Sequence, residues 1–170
     1  MRVVVVMGVS GCGKSTVGRL LAEALGGDFA EGDAFHPAAN VAKMAAGNPL
    51  DDDDRGPWLA AMTAAIGGWS RKGTPTVLSC SALKQCYRDT LRGDALDVVF
   101  VHLAGSRETI AARLAARLDH YMPAGLLDSQ FAALEAPDET DAIVVSVDGE
   151  PRSIVATIVE RLRDWPVIPA

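Results

Sequence analysis

The sequence predicts an α/β fold, one domain built on a five-stranded parallel sheet with helices on both faces. Two patterns predict it. Apolar runs rich in β-branched residues recur at Val3–Met7, Thr76–Cys80, Val98–Leu103 and Ile143–Val147, with a weak one around Asp28–Glu31. Between them lie stretches whose apolar residues repeat at helical spacing. Strands that are apolar throughout bury both faces, and alternation with helices is the arrangement that covers them. The chain has 170 residues, and about 150 is typical of a domain, so one unit over 1–170 is expected. No linker, repeat or low-complexity tract divides it.

Each element has its own signal. Val3–Met7 is too short for the apolar core of a secretion signal and runs straight into glycines, so it reads as a buried first strand. Val17, Leu20, Leu21, Ala24 and Leu25 follow i, i+3, i+4, i+7, i+8, and Gly26-Gly27 ends that helix. Two helical stretches at about 33–70 are inserted between the second and third strands. An insertion over the C-terminal edge of a parallel sheet is where a substrate site is built. Ile110, Leu114 and Leu118 form a further stripe, Leu126–Leu134 reads as another helix, and Pro151 starts the last one, striped by Ile154, Val155, Ile158, Val159 and Leu162.

Composition excludes whole classes. Apolar residues make up 49% and charged ones 22%, as in ordinary globular proteins. Lys plus Arg number 16 against 22 Asp plus Glu, a formal net charge of −6. That balance argues against nucleic acid and membrane as partners, since both call for a positive surface. No apolar run approaches the ~20 residues of a membrane span. The three cysteines, Cys12, Cys80 and Cys86, lack the paired spacing of a zinc site. A reduced, cytoplasmic enzyme is expected.

Gly8-Val-Ser-Gly-Cys-Gly13-Lys14-Ser15 matches GxxxxGK[ST] in full, between a predicted strand and a predicted helix. Glycines turn successive N–H groups toward one anion, and the helix N-terminus adds its dipole. The candidate ATP site is therefore Gly8, Val9, Ser10, Gly11, Cys12, Gly13, Lys14, Ser15 and Thr16. Lys14 reaches the β- and γ-phosphates, and the Ser15 hydroxyl ligates Mg²⁺. Cys12 is either a thiol sensitised by the helix N-terminus or an inert small residue filling the loop, and the second is expected.

Elimination narrows the class. No Asn-Lys-x-Asp guanine reader occurs, and Asp53-Asp54-Arg55-Gly56 follows an acidic run instead of a strand. Transport and ring ATPases need a longer chain. The third strand carries no acidic residue, so the magnesium-side carboxylate comes from elsewhere. Glu31-Gly-Asp33, ending the second strand, supplies two. One can hold magnesium's water shell, and the other can orient or deprotonate an acceptor hydroxyl. A small phosphoryl-transfer kinase remains.

Longer blocks then carry a resemblance. Glu31-Gly-Asp33-x-x-His36-Pro37-x-x-Asn40-x-x-Lys43-Met44 resembles the signature of bacterial and fungal gluconate kinases. Gly47-x-Pro49-Leu50-x-Asp52-x-Asp54-Arg55-x-Pro57-Trp58-Leu59, Cys80-Ser81-Ala82-Leu83-Lys84-x-x-Tyr87-Arg88-Asp89-x-Leu91-Arg92 and Ser129-Gln130-Phe131-x-x-Leu134-Glu135 follow in family order. Together they cover essentially the whole chain. The resemblance implies ATP-dependent phosphorylation of D-gluconate at its 6-hydroxyl, a fold of the shikimate-kinase and nucleotide-kinase type, a mobile lid and a homodimer. A shikimate or nucleotide kinase on the same fold, or a non-catalytic ATP-binding regulatory module, are the alternatives.

Gluconate is a small polar anion, so its pocket needs a cation and hydrogen-bonding groups. Arg55, Lys84 and Arg88 are the candidates for the carboxylate, with Arg55 first because its planar fork suits bidentate contact. His36 and Asn40 lie one turn apart if Pro37 starts a helix, and Ser81 offers its hydroxyl and N–H. Lys84 and Arg88 share a face if both are helical. Catalytic roles are expected for Lys14, Asp33, Arg113 and Arg117. The two arginines belong to the family's lid (about 117–130) and its approach, and neutralise the transferring group. The metal is expected on Ser15 and, through water, Glu31. Ser146–Pro151 is expected near the adenine.

Overall fold

A strand of five consecutive apolar residues suits only the centre of a sheet covered on both sides, and β1 (Val3–Met7) is buried along its whole length. The computed structural model describes residues 3–94, 97–116 and 124–166. The other strands are β2 (Asp28–Glu31), β3 (Thr76–Ser79), β4 (Val98–Ala104) and β5 (Ala142–Ser146). They pair in the order β2-β3-β1-β4-β5, and every pairing is parallel. Each strand lies within one residue of its expected bounds.

Between the strands run α1 (Lys14–Leu25), α2 (Ala38–Ala45), α3 (Asp52–Lys72), α4 (Gln85–Arg92), α5 (Arg107–Ala115), α6 (Ala124–Ala133) and α7 (Pro151–Asp164). The period-two alternation of β1 divides the core. Val4 and Val6 pack with Val17 and Leu21 of α1 and with Ile154 and Ile158 of α7. Val3, Val5 and Met7 pack with Trp58, Met62 and Ile66 of α3 and Leu91 of α4. Helices therefore cover both faces.

The acidic run Asp51–Asp54 is the cap and first turn of α3. Asp51 accepts the Asp54 N–H at 2.9 Å, and the Asp54 carboxylate accepts the Asp51 N–H at 2.9 Å. Carboxylates here also face the positive end of the helix dipole. Lys43 of α2 bonds both Asp51 and Asp54, which ties the two inserted helices together.

The register places the site. Glu31 pairs with Ser79, and Ser79 with Val6. The ends of β1, β2 and β3 thus lie side by side, and the loops leaving them share one sheet edge. The expected lid falls partly outside the described residues, since Arg117 and residues 118–123 are not among them. Residues 124–130 form the first part of α6.

Candidate active site

Close packing dictates the first glycine of the phosphate loop. Gly8 has φ +143°, and a Cβ there would lie 3.0 Å from the Leu103 carbonyl oxygen and 2.9 Å from Cys12 Sγ. The Gly8 N–H donates to the Ser81 carbonyl at 3.2 Å, joining this loop to the one after β3. Lys14 Nζ folds back over the loop and donates to the Val9 carbonyl at 3.0 Å. Ser15 and the exposed Thr16 occupy the first turn of α1. Gly11 and Gly13 are also left-handed, so the loop curls as a phosphate cradle requires. The Ser10 N–H is taken by Gln130 Oε1 of α6 at 2.6 Å.

Glu31 is the hub beside the cradle. Its carboxylate accepts from Ser15 Oγ at 3.1 Å and from Ser79 Oγ, and Arg19 lies 3.9 Å away. The Ser79 hydroxyl on β3 and the Ser15 hydroxyl donate to the same Glu31 oxygen, so Ser79 helps hold the carboxylate beside Ser15. Gly32 follows because nothing larger fits, since a Cβ there would stand 2.3 Å from the Ser79 carbonyl oxygen. The chain then turns through a 3₁₀ segment, Gly32–Phe35, which presents the Asp33 carboxylate 87% exposed.

The wall beyond Asp33 is aromatic. His36 stacks on Trp58 with ring centroids 4.5 Å apart and planes 10° off parallel. Trp58 is buried, and its Nε1–H donates to the Gly32 carbonyl at 2.8 Å. His36 Nε2 lies 4.0 Å from Asp33 Oδ1, and its Nδ1 lies 3.4 Å from Asn40 Nδ2. Burial holds the His36 pKa below its usual value, with Asp33 opposing, so the ring is neutral at neutral pH. Asn40 is buried and donates to the Asp54 carbonyl at 2.8 Å. His36 and Asn40 do not share a helix as expected, because α2 starts at Ala38. Pro37 sets the extended turn that still brings them together.

Arg55, Lys84 and Arg88 part company. Lys84 has extended backbone and precedes α4, so the helical spacing assumed for Lys84 and Arg88 does not apply. Lys84 Nζ meets both Asp52 oxygens at 2.8 and 2.9 Å, and Arg55 lies 3.6 Å from Asp52 and 3.3 Å from the Tyr87 hydroxyl. Arg88 is not brought to this surface. It is buried and donates to the Ala82 and Leu83 carbonyls at 3.1 and 3.2 Å. Ala82 has φ +43°, a left-handed conformation that costs a non-glycine residue about 1–3 kcal/mol. The guanidinium pins that turn, and Glu135 joins in by accepting the Gln85 N–H at 2.6 Å. Ser81, half-buried, sits just before it.

On the nucleotide side, Arg113 of α5 donates to the Val147 carbonyl at 2.5 Å. Cys12 is buried, and desolvation pushes its thiol above the usual range although Lys14 pulls the other way. Burial outweighs the helix N-terminus here. Desolvation also pushes Cys80 up to about 12, whereas Cys86 is exposed. A maleimide should modify the native protein rapidly at Cys86 alone and reach Cys12 and Cys80 only in denaturant. Rapid native labelling of Cys12 would contradict this.

Ser79, Tyr87 and Gln130 belong to the site without having been singled out as site residues. Ser79 carries a hydroxyl near the end of the third apolar run, and the strand register sets it opposite Glu31. The contact of Gln130 with Ser10 spans 120 residues and left no local signal.

A phosphate cradle, a carboxylate hub against its serine and an exposed aspartate at the next strand end define a P-loop small-molecule kinase. Residues 3–137 match the family described as AAA domain. The gluconokinase of Gluconobacter oxydans (strain 621H) is 52% identical over 149 residues, spanning 88% of this chain and 83% of that protein. The crystal structure of a gluconokinase from Sinorhizobium meliloti 1021 is 44% identical, with a TM-score of 0.84 over 96% of each chain. The chain belongs to the gluconokinase family. Shikimate kinase from Aquifex aeolicus vf5, at 16% identity and a TM-score of 0.57 over 95% of this chain and 96% of that one, shares the fold alone.

Proposed function

We propose that this enzyme transfers the γ-phosphoryl group of ATP to the 6-hydroxyl of D-gluconate, giving 6-phospho-D-gluconate and ADP. The observation that carries the reading is the exposed Asp33 carboxylate two residues beyond the Glu31 hub, in a chain 52% identical to a gluconokinase. A shikimate or nucleotide kinase finds no such sequence support, and a pure ATP-binding module has no use for an acceptor-side carboxylate.

The roles follow from the chemistry. Loop N–H groups and Lys14 hold the β- and γ-phosphates. Asp33 aligns the acceptor hydroxyl for in-line attack and takes up its proton. Neutral His36, stacked on Trp58 and bonded to Asn40, forms the wall along the sugar acid, with Ser81 opposite. Arg55, and Lys84 beside it, meet the carboxylate. Arg88 holds the Ser81–Lys84 turn and does not touch substrate. Arg113 and Arg117 neutralise the transferring group as the lid closes.

Ser15 Oγ and the Glu31 carboxylate are hard oxygen donors 3.1 Å apart, a pair that suits Mg²⁺, with Glu31 acting through water. When bound, that ion neutralises charge on the β- and γ-oxygens. The enzyme works in the cytoplasm as a homodimer on this reading, without membrane or nucleic acid. Among the described residues no helix is long and apolar enough to cross a membrane.

A coupled ADP-release assay across D-gluconate, shikimate and nucleoside monophosphates tests the substrate. Turnover should depend on gluconate, and turnover with either rival alone would overturn the reading. Arg55→Leu should raise the gluconate KM about tenfold or more, the loss expected for a charge-assisted contact, with the KM for ATP unmoved. An unchanged gluconate KM would move the carboxylate onto Lys84.

A further inference from the structure

The cations assigned to the substrate's carboxylate already hold a carboxylate, that of Asp52. Lys84 Nζ contacts both of its oxygens, the Tyr87 hydroxyl donates to Oδ1, and Arg55 Nη1 stands 3.6 Å from the same atom. Three donors from two separate elements, α3 and the start of α4, converge on one anion. Lys84 and Tyr87, in that order, hold the Asp52 carboxyl below its usual range. Asp52 itself is not buried, with 61% of its side chain exposed, so its departure uncovers no core. It is also not needed to start α3, since Asp51 and Asp54 form the capping box by themselves.

The spacing suits a short linear acid. Arg55 and Trp58 are i, i+3 on α3 and lie on one face about one turn apart, roughly 5 Å. Trp58 carries His36, and His36 lies 4.0 Å from Asp33. An acceptor whose terminal hydroxyl meets Asp33 therefore extends along that stack toward Arg55, with its carboxylate at the place Asp52 now fills.

We propose that Asp52 is a specificity-determining residue, an internal carboxylate that competes with the acceptor's own for Arg55 and Lys84. This rests on the assignment of those two cations to the acceptor's carboxylate. The cluster is then never an open anion trap. Only an acceptor that brings its carboxylate together with hydroxyls for the His36 wall gains enough to replace Asp52, and simple inorganic or organic anions do not. The apparent affinity for gluconate is lowered by the fraction of molecules in which Asp52 holds the cations.

Steady-state kinetics of Asp52→Asn and Arg55→Leu, run side by side at saturating MgATP, separate the possibilities. Asp52→Asn should lower the gluconate KM about threefold or more, consistent with releasing an exposed, multiply bonded ion pair. It should also make the enzyme more sensitive to inhibition by acetate competing with gluconate. Structural damage does not tighten a substrate, so a fall in KM is specific to competition. An unchanged or raised KM in Asp52→Asn, with Arg55→Leu raising it as expected, would overturn the competitor role and make Asp52 a support for the two cations. An unchanged KM in Arg55→Leu would take Arg55 out of the carboxylate assignment beneath this inference, leaving Lys84, and would overturn the inference as stated.

Discussion

Asp33→Asn lowers kcat about a thousandfold, within the range for loss of a positioned general base, and leaves the KM for ATP near its wild-type value. The split follows from where the two carboxylates sit. Glu31 is engaged by Ser15, Ser79 and Arg19, while Asp33 is 87% exposed, with the His36 ring 4.0 Å away. Asparagine keeps the shape and a hydrogen-bonding oxygen, so the acceptor still binds, but it cannot take up the hydroxyl proton. Initial rates over a grid of ATP and gluconate concentrations measure the effect. Equal losses in kcat and in ATP affinity would reassign Asp33 to the metal.

Lys14→Met removes the single positive side chain of the phosphate loop and should cost a hundredfold or more in kcat, comparable to deleting one preorganised donor from a developing charge. In the free protein Lys14 Nζ rests on the Val9 carbonyl, which stores the ammonium over the loop until phosphate draws it away. Methionine fills similar space without the charge, so the loop keeps its shape. Binding should weaken for ATP and hold for AMP, which lacks the β- and γ-phosphates. Titrating both nucleotides into the variant checks this, and equal weakening would mean that the loop had lost its structure.

Much of this is legible in the sequence. The strands announced themselves because a sheet covered on both faces needs uninterrupted apolar runs, and even Asp28–Glu31, with one large apolar residue, stood in the right place for an edge. The phosphate loop and the Glu31–Asp33 pair were legible because their chemistry is local in sequence. Arg88 was not. A helical spacing placed it beside Lys84, but Lys84 lies before the first turn, and the left-handed Ala82 turns two carbonyls toward the guanidinium. The acidic run Asp51–Asp54 divides between capping α3 and neutralising Lys84, a division its sequence does not reveal. Contacts that join distant loops, such as Gln130 to Ser10 and Glu135 to Gln85, depend on packing and write no pattern into either segment.

The net charge of −6 likewise said nothing against anionic substrates. Binding anions depends on the sign of the charge where the anion sits, and not on the sum over the chain: Lys14 lies over the phosphate loop, and Arg55 and Lys84 lie together beside Asp52.

The most direct test of the phosphoryl transfer is the product itself. The protein is incubated with MgATP and D-gluconate, and ³¹P NMR follows the phosphorus. The expected result is loss of the γ-resonance matched by ADP and by one phosphomonoester, coupled to the two protons of the terminal carbon and absent without gluconate. Release of inorganic phosphate without that ester, or an ester on another carbon, would contradict the account.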